Sequence, residues 1–225
     1  MLEAMNVQER IWRWIYDGFS PLFEPVLSFC NRLLGYSDAE ERRKLVAALD
    51  LQPGQQVLEV GVGTGRNLPW LRQAVTETGS VLGADFSRGM LLQCRRRHAG
   101  RAHLLQAEAE RLPFADGSFD AVLHYGAVNI FANVPAAIAE MARVTRPGGR
   151  LVLSDQGTRE ELRHGLRFAV ASRIIPFLRR HPPLQQLPDG VTVRHLDWLW
   201  RGDCYLLVLE RTPEPVSAGA AHSRR

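Results

Sequence analysis

The nine residues VLEVGVGTG at positions 57–65 constrain this chain more than any other stretch. A short apolar run holding one acid breaks into three alternate glycines, and a helix-compatible segment, residues 66–74, follows. That reads as a buried strand, a tight turn and a helix start. Glycine removes the Cβ that would clash in such a turn and lets a ligand lie directly against the backbone. Taken alone, the pattern also fits a plain turn.

Two details narrow it. A dinucleotide loop wants a further glycine three residues past the second one, with pyrophosphate on the helix N-terminus. Here that place is Arg66, and no Gly-Lys-Ser/Thr phosphate loop exists. Glu59, two residues before Gly61, would repel a pyrophosphate and favour a cationic group such as an amino-acid ammonium. The second detail is VLGAD at 81–85, which reads as the next strand. Its Asp85 lies 20 residues beyond Gly65, the spacing at which a strand-end acid takes ribose hydroxyls. A nucleoside without a pyrophosphate and with a charged amino-acid tail is S-adenosylmethionine (SAM), so Glu59, Gly61, Gly63, Gly65 and Asp85 are expected to hold it.

Composition sets the frame. A chain of 225 residues with 45% hydrophobic and 23% charged residues suits one globular domain. The net charge of +4 comes almost wholly from arginine, Lys44 being the only lysine, so a composition bias explains it better than a nucleic-acid surface. The run Arg95, Arg96, Arg97, His98 falls on a helix, where consecutive residues point in different directions, and reads as a solvated face. Cys30, Cys94 and Cys204 lack the spacing of a disulfide framework or zinc site. No signal peptide or membrane span is evident, and the expected location is cytoplasmic.

From residue 56 onward, strand and helix patterns alternate, which implies a mostly parallel sheet covered on both faces. Strands are expected at 103–106, 119–123 and 150–154, with helices from Ser87 and over 134–144. Capping boxes are expected at Ser37 and Thr158. The last two strands, 191–195 and 204–209, are joined by a loop too short for a parallel crossover and should pair antiparallel. The expected fold is α/β: a Rossmann-like three-layer α/β/α sandwich whose seven-stranded sheet is parallel except for the last strand. Residues 1–36 form N-terminal helices, 37–211 the main domain, and 212–225, rich in Pro, Ala, Ser and Gly, a disordered tail. Helix 6–18 carries two apolar stripes, one of them Trp12, Tyr16 and Phe19, where packing on a sheet needs one. The spare stripe must meet a partner subunit, a membrane or a substrate, and residues 6–35 are either a lid over an acceptor pocket or plain helix completing the core.

VLEVGVGTG, GADFS, AEAERLPFADGSFDAVL and EMARVTRPGGRLVLSD together resemble the successive motifs of class I SAM-dependent methyltransferases, and most closely the ubiquinone/menaquinone biosynthesis branch. The likeness is close over residues 40–155. It implies that Glu108 stands where the family's Asp accepts from the adenine amino group, one methylene longer, beside Ala109. It also implies that Tyr16, in a Tyr-Asp pair like that of the quinone-methylating enzymes, touches the SAM carboxylate. Phe86 either packs on the adenine face or belongs to the core.

Methyl transfer chiefly needs alignment, exclusion of water and, for O, S or acidic C–H acceptors, removal of a proton. His124, at the end of the fourth strand, is either that base and a cofactor contact or a structural histidine. Tyr125 and Asn129 could orient an acceptor, and Glu110 reads as solvated. His124 and Asp155-Gln156 differ from the acids of metal-dependent catechol enzymes, so no metal is expected. The expected activity is methyl transfer to a small, largely apolar acceptor, with RNA methylation or SAM binding without chemistry as the alternatives. The oligomeric state is not legible.

Overall fold

A computed structural model of the chain describes residues 11, 12, 14–18, 20–22, 25, 37–98 and 103–212. Its frame is seven strands: β1 (Gln56–Val60), β2 (Ser80–Asp85), β3 (His103–Gln106), β4 (Phe119–Tyr125), β5 (Thr145–Gln156), β6 (Val191–Leu199) and β7 (Cys204–Arg211). They form one sheet in the order 3-2-1-4-5-7-6. β1 pairs in parallel with β2 and β4, which pair in parallel with β3 and β5 respectively. β7 runs antiparallel between β5 and β6, as the short connection from β6 requires.

The helices are α1 (Asp38–Ala48), α2 (Leu68–Val75), α3 (Arg88–His98), α4 (Val134–Val144) and α5 (Leu166–Ile174). Strand alternation sorts side chains into two cores. On one face Val57, Leu123 and Val152 pack with Leu45 and Leu49 of the α1 end, Leu68, Leu71 and Val75 of α2, and Cys94 of α3. On the other, Leu58, Val122, Leu151 and Leu153 pack with Ile138, Met141 and Val144 of α4. These are the three layers of the expected sandwich.

Local chemistry sets the helix starts. The Ser87 hydroxyl accepts from Met90 N–H at 3.1 Å to open α3, and Asn133 caps α4 by accepting from Ala136 N–H at 3.1 Å. The two expected capping boxes do not form. Ser37 precedes α1 with no side-chain cap bond. Thr158 Oγ1 donates to Asp203 at 3.0 Å instead of capping, so only a 3-10 turn (Glu160–Leu162) follows and α5 begins at Leu166.

β5 starts at Thr145 rather than 150. Phe119 pairs with Thr145 and Ala121 with Arg150, so the Pro-Gly-Gly segment is taken up as a bulge and not as a free turn. Described residues between 11 and 25 are helical. Phe19, residues 26–36 and the expected tail from 213 onward lie outside the described residues. Among those described, no helix is long and apolar enough to cross a membrane.

Candidate active site

The cleft lies beyond the carboxyl ends of β1, β2 and β4, where the order of connection reverses and the loops part. Its volume is about 830 Å³, counting the part open to solvent. Gly61 and Gly63 line one wall with φ of +69° and +53°, a region that costs other residues steric strain. A Cβ on Gly63 would meet no protein atom within 4 Å. Its absence leaves bare backbone facing the space a ligand needs.

Asp85, at the tip of β2, ties this loop to the next. One carboxylate oxygen accepts from Gly63 N–H and the other from Ser87 N–H, both at 2.8 Å. Burial is the largest influence on its pKa, which is pushed up to about 6 against the lowering effect of those N–H groups, with the Asp17 charge raising it further. Burial likewise pushes Asp155, at the end of β5, up to about 6. Its oxygens accept from Asn129 N–H and Gln156 N–H, both at 2.7 Å. Buried carboxylates with raised pKa favour the approach of positive charge.

The N-terminal segment closes one side. Asp17 Oδ1 accepts from Ser87 Oγ–H at 2.6 Å and from Gly89 N–H at 2.8 Å, which anchors the segment at the start of α3. A Cβ on Gly89 would sit 2.8 Å from Asp17 Cα, so this close approach needs the glycine. The anchor sets Tyr16 edge-on against Phe86, ring centres 5.9 Å apart, with Trp12 6.1 Å from Tyr16. Burial first, then the charges of Asp155 and Asp85, pushes the Tyr16 phenol up to about 12, so it stays a hydrogen-bond donor at neutral pH.

Of the residues the sequence singled out, Tyr16, Gly61, Gly63, Asp85, Phe86, Glu108, Ala109 and Tyr125 line the cleft. Four do not. Glu59 lies beneath the glycine loop, its Oε1 accepting from Asn67 Nδ2 at 2.6 Å, while Asn67 Oδ1 accepts from Arg42 at 2.8 Å. Burial pushes Glu59 up to about 7 against the lowering effects of Asn67 and Arg42. Gly65 turns its missing side chain toward α3, where a Cβ would sit 2.6 Å from Cys94 Sγ.

His124 is 0% exposed, its ring packed 4.7 Å from Phe131 and its Nδ1–H donating to Val60 O at 2.7 Å. Burial lowers its pKa to about 4, too weak for a proton acceptor near neutrality, and it supports Gly61 from below. The structure thus places His124 beneath the cleft floor, with its Nε2 buried and without a hydrogen-bond partner among the described residues. Asn129 Nδ2 donates to Gln156 O at 2.9 Å, so that side chain holds a loop and does not orient an acceptor.

A model of the methyltransferase domain family matches residues 58–153. The demethylmenaquinone methyltransferase of Thermus thermophilus is 36% identical over 160 residues, covering 68% of this chain and 72% of that one. The chain belongs to the class I SAM-dependent methyltransferases. The demethylmenaquinone methyltransferase of Beutenbergia cavernae is 43% identical over 118 residues, covering 52% of this chain and 47% of the relative. The chain spans about half the length of the first curated relatives it matches. A SAM-dependent methyltransferase from Aquifex aeolicus shares the fold at a TM-score of 0.57, with 19% identity over 76% of this chain and 89% of that one.

SAM is the methyl donor of the family, and the residues of this cleft fit it. The bare Gly63 wall and buried Asp85 suit a nucleoside, and the raised carboxylates suit a cation. Sequence reasoning missed the far half of the cleft: Ile130, Phe131 and Ala132 after β4, and Met90 on α3. Loop residues have no periodicity to betray them. Glu110, read as solvated, also lines the cleft.

Proposed function

We propose that this methyltransferase moves a methyl group from SAM to a small, largely apolar acceptor, with a demethylated quinol as the first compound to test. The observation that carries the reading is the apolar half of the cleft, where Trp12, Ile130 and Phe131 face space beyond the nucleoside half. The names of the relatives support a quinol. A flexible RNA would need a basic, open groove, and this cleft is lined by acids and aromatic rings.

When bound, SAM supplies a sulfonium-activated methyl group. Asp85 takes the ribose hydroxyls, Phe86 and Ala109 flank the adenine, and Glu108 takes its amino group. Gly61 and Gly63 offer backbone to the amino-acid part, and Tyr16 donates to its carboxylate. Trp12 and Tyr16 form a lid that excludes water and holds the acceptor in line. Tyr125 contributes to the cleft wall, while its ring packs beneath the Arg42 guanidinium, 4.9 Å away, and edge-on to Trp200, so its role is to shape the wall. Among the described residues that line the cleft, Asp85, Glu108 and Glu110 are the groups able to take a proton. Glu110 stands outside the nucleoside contacts and takes the acceptor proton.

The test is calorimetric titration with SAM, followed by a methyl-transfer screen against quinols, phenols, thiols and structured RNA. Binding plus turnover on a quinol or phenol is the expected result. Failure to bind SAM, or turnover on RNA alone, overturns the reading.

A further inference from the structure

Helix α5 carries apolar side chains on its outside. Leu166, Val170 and Ile174, spaced four residues apart and hence on one face, are 82%, 52% and 76% exposed. A surface helix ordinarily turns such a stripe inward. Leu162, one turn earlier, is exposed as well. A second exposed set, Ile11, Trp14, Ile15 and Leu22, lies on the N-terminal segment. The two segments are joined where Trp12 packs against Phe177, in the turn just after α5, ring centres 6.4 Å apart, and Trp12 is also a wall of the cleft. The exposed apolar surface therefore borders the cleft mouth.

Charge identifies the occupant. Residues 162–188 contain Arg163, Arg167, Arg173, Arg179 and Arg180 and no acid. Arg167 is paired with Asp203, and Arg163 contacts Glu160 and the carbonyls of Arg179 and Arg180. Arg173, Arg179 and Arg180 are exposed. A second copy docked by two-fold symmetry would set this arginine-rich face against itself. An anionic lipid surface instead offers acyl chains for the stripe and negative headgroups for its rim.

We propose that α5 and the adjoining N-terminal residues dock this protein on an anionic lipid surface, with the cleft mouth beside the interface. The inference rests on exposure and charge and holds whatever the acceptor is. It means that an apolar acceptor can enter without crossing bulk water.

The test is co-sedimentation of the full chain with vesicles of phosphatidylcholine alone and with about a third phosphatidylglycerol. The parent should bind the anionic vesicles at least about tenfold more strongly, and added salt should weaken the binding. The triple variant Leu166→Ser, Val170→Ser, Ile174→Ser should lose that binding, and Arg173→Glu with Arg180→Glu should abolish the preference for anionic lipid. Both should still titrate with SAM like the parent, since neither touches the cleft.

Equal binding of parent and triple variant, or no binding to anionic vesicles, overturns the proposal. So does a parent dimer in light scattering that the triple variant converts to monomer, because the stripe then meets a second copy. Loss of SAM binding in the parent would instead count against the functional reading and leave docking to be judged by the vesicles.

Discussion

Replacing Asp85 by Ala separates binding from folding. The change removes a carboxylate whose pKa lies at about 6 against an ordinary 3.8, mainly because it is buried. Relief of that ionised group is worth about 3 kcal/mol at neutral pH, at ~1.4 kcal/mol per pH unit. Against this, the Gly63 and Ser87 N–H groups lose their acceptor, at about 1–3 kcal/mol each when buried. The two effects are of similar size, so the empty variant should melt within about 5 °C of the parent at pH 7. SAM binding has no such offset. One hydrogen bond from a ribose hydroxyl to a charged carboxylate contributes about 1.5–3 kcal/mol, so Kd should rise at least tenfold. Paired thermal melts and SAM titrations of parent and variant give both numbers. A variant that binds SAM within about twofold of the parent would refute the placement of the ribose on Asp85. A variant that is unfolded would refute the balance.

Glu59, Asp85 and Asp155 have folded pKa values raised to about 7, 6 and 6. Their contribution to stability is greatest below the ordinary carboxylate range and is lost as pH rises through 6–7, so denaturant midpoints of the empty protein should fall between pH 5 and 7.5. SAM, a cation, should bind more tightly over the same interval with release of protons, seen as calorimetric heats that depend on the buffer; uptake of protons contradicts this. Gly89→Val should push Asp17 away from α3, raise hydrogen exchange across described residues 11–22 and weaken SAM binding; unchanged exchange would show that the anchor does not depend on the close approach. His124→Asn keeps a donor for Val60 O, so kcat should stay within about fivefold and its pH profile should keep its shape. A loss of ~10² or more, typical of a removed base, would restore His124 to the chemistry.

The central fold was legible because its signals are local. Three alternate glycines, Asp85 and a link before the last strand too short for a parallel crossover leave little choice of topology. Errors arose where one residue had two possible partners. Thr158 satisfies a capping pattern on paper, but Asp203, 45 residues away in sequence, takes its hydroxyl. Likewise, Pro-Gly-Gly reads as a turn until Phe119 pairs with Thr145 across it. The burial of His124 was hidden for another reason. A strand buried on both faces is apolar throughout, so its sequence locates the strand end but not which face each residue takes. That phase came only from pairing with β1, which set His124 opposite Val60. The N-terminal stripe was readable as an excess of aromatic residues, but its anchor through Asp17 to Gly89 was not.

The place of β7 has a consequence for how the chain is made. Among the described strands, the last to be synthesised is not an edge; it is threaded between β5 and β6, with residues Cys204 to Leu209 buried. Until residue 211 has been added, β5 is left as an open edge and β6 has no neighbour among the described strands. A ribosome pausing before position 204 holds out an incomplete sheet whose β5 edge is open and apolar, the kind of surface that other chains adhere to. Loss of a few C-terminal residues of that strand should thus injure the interior of the sheet, where trimming an outer strand would only fray its border.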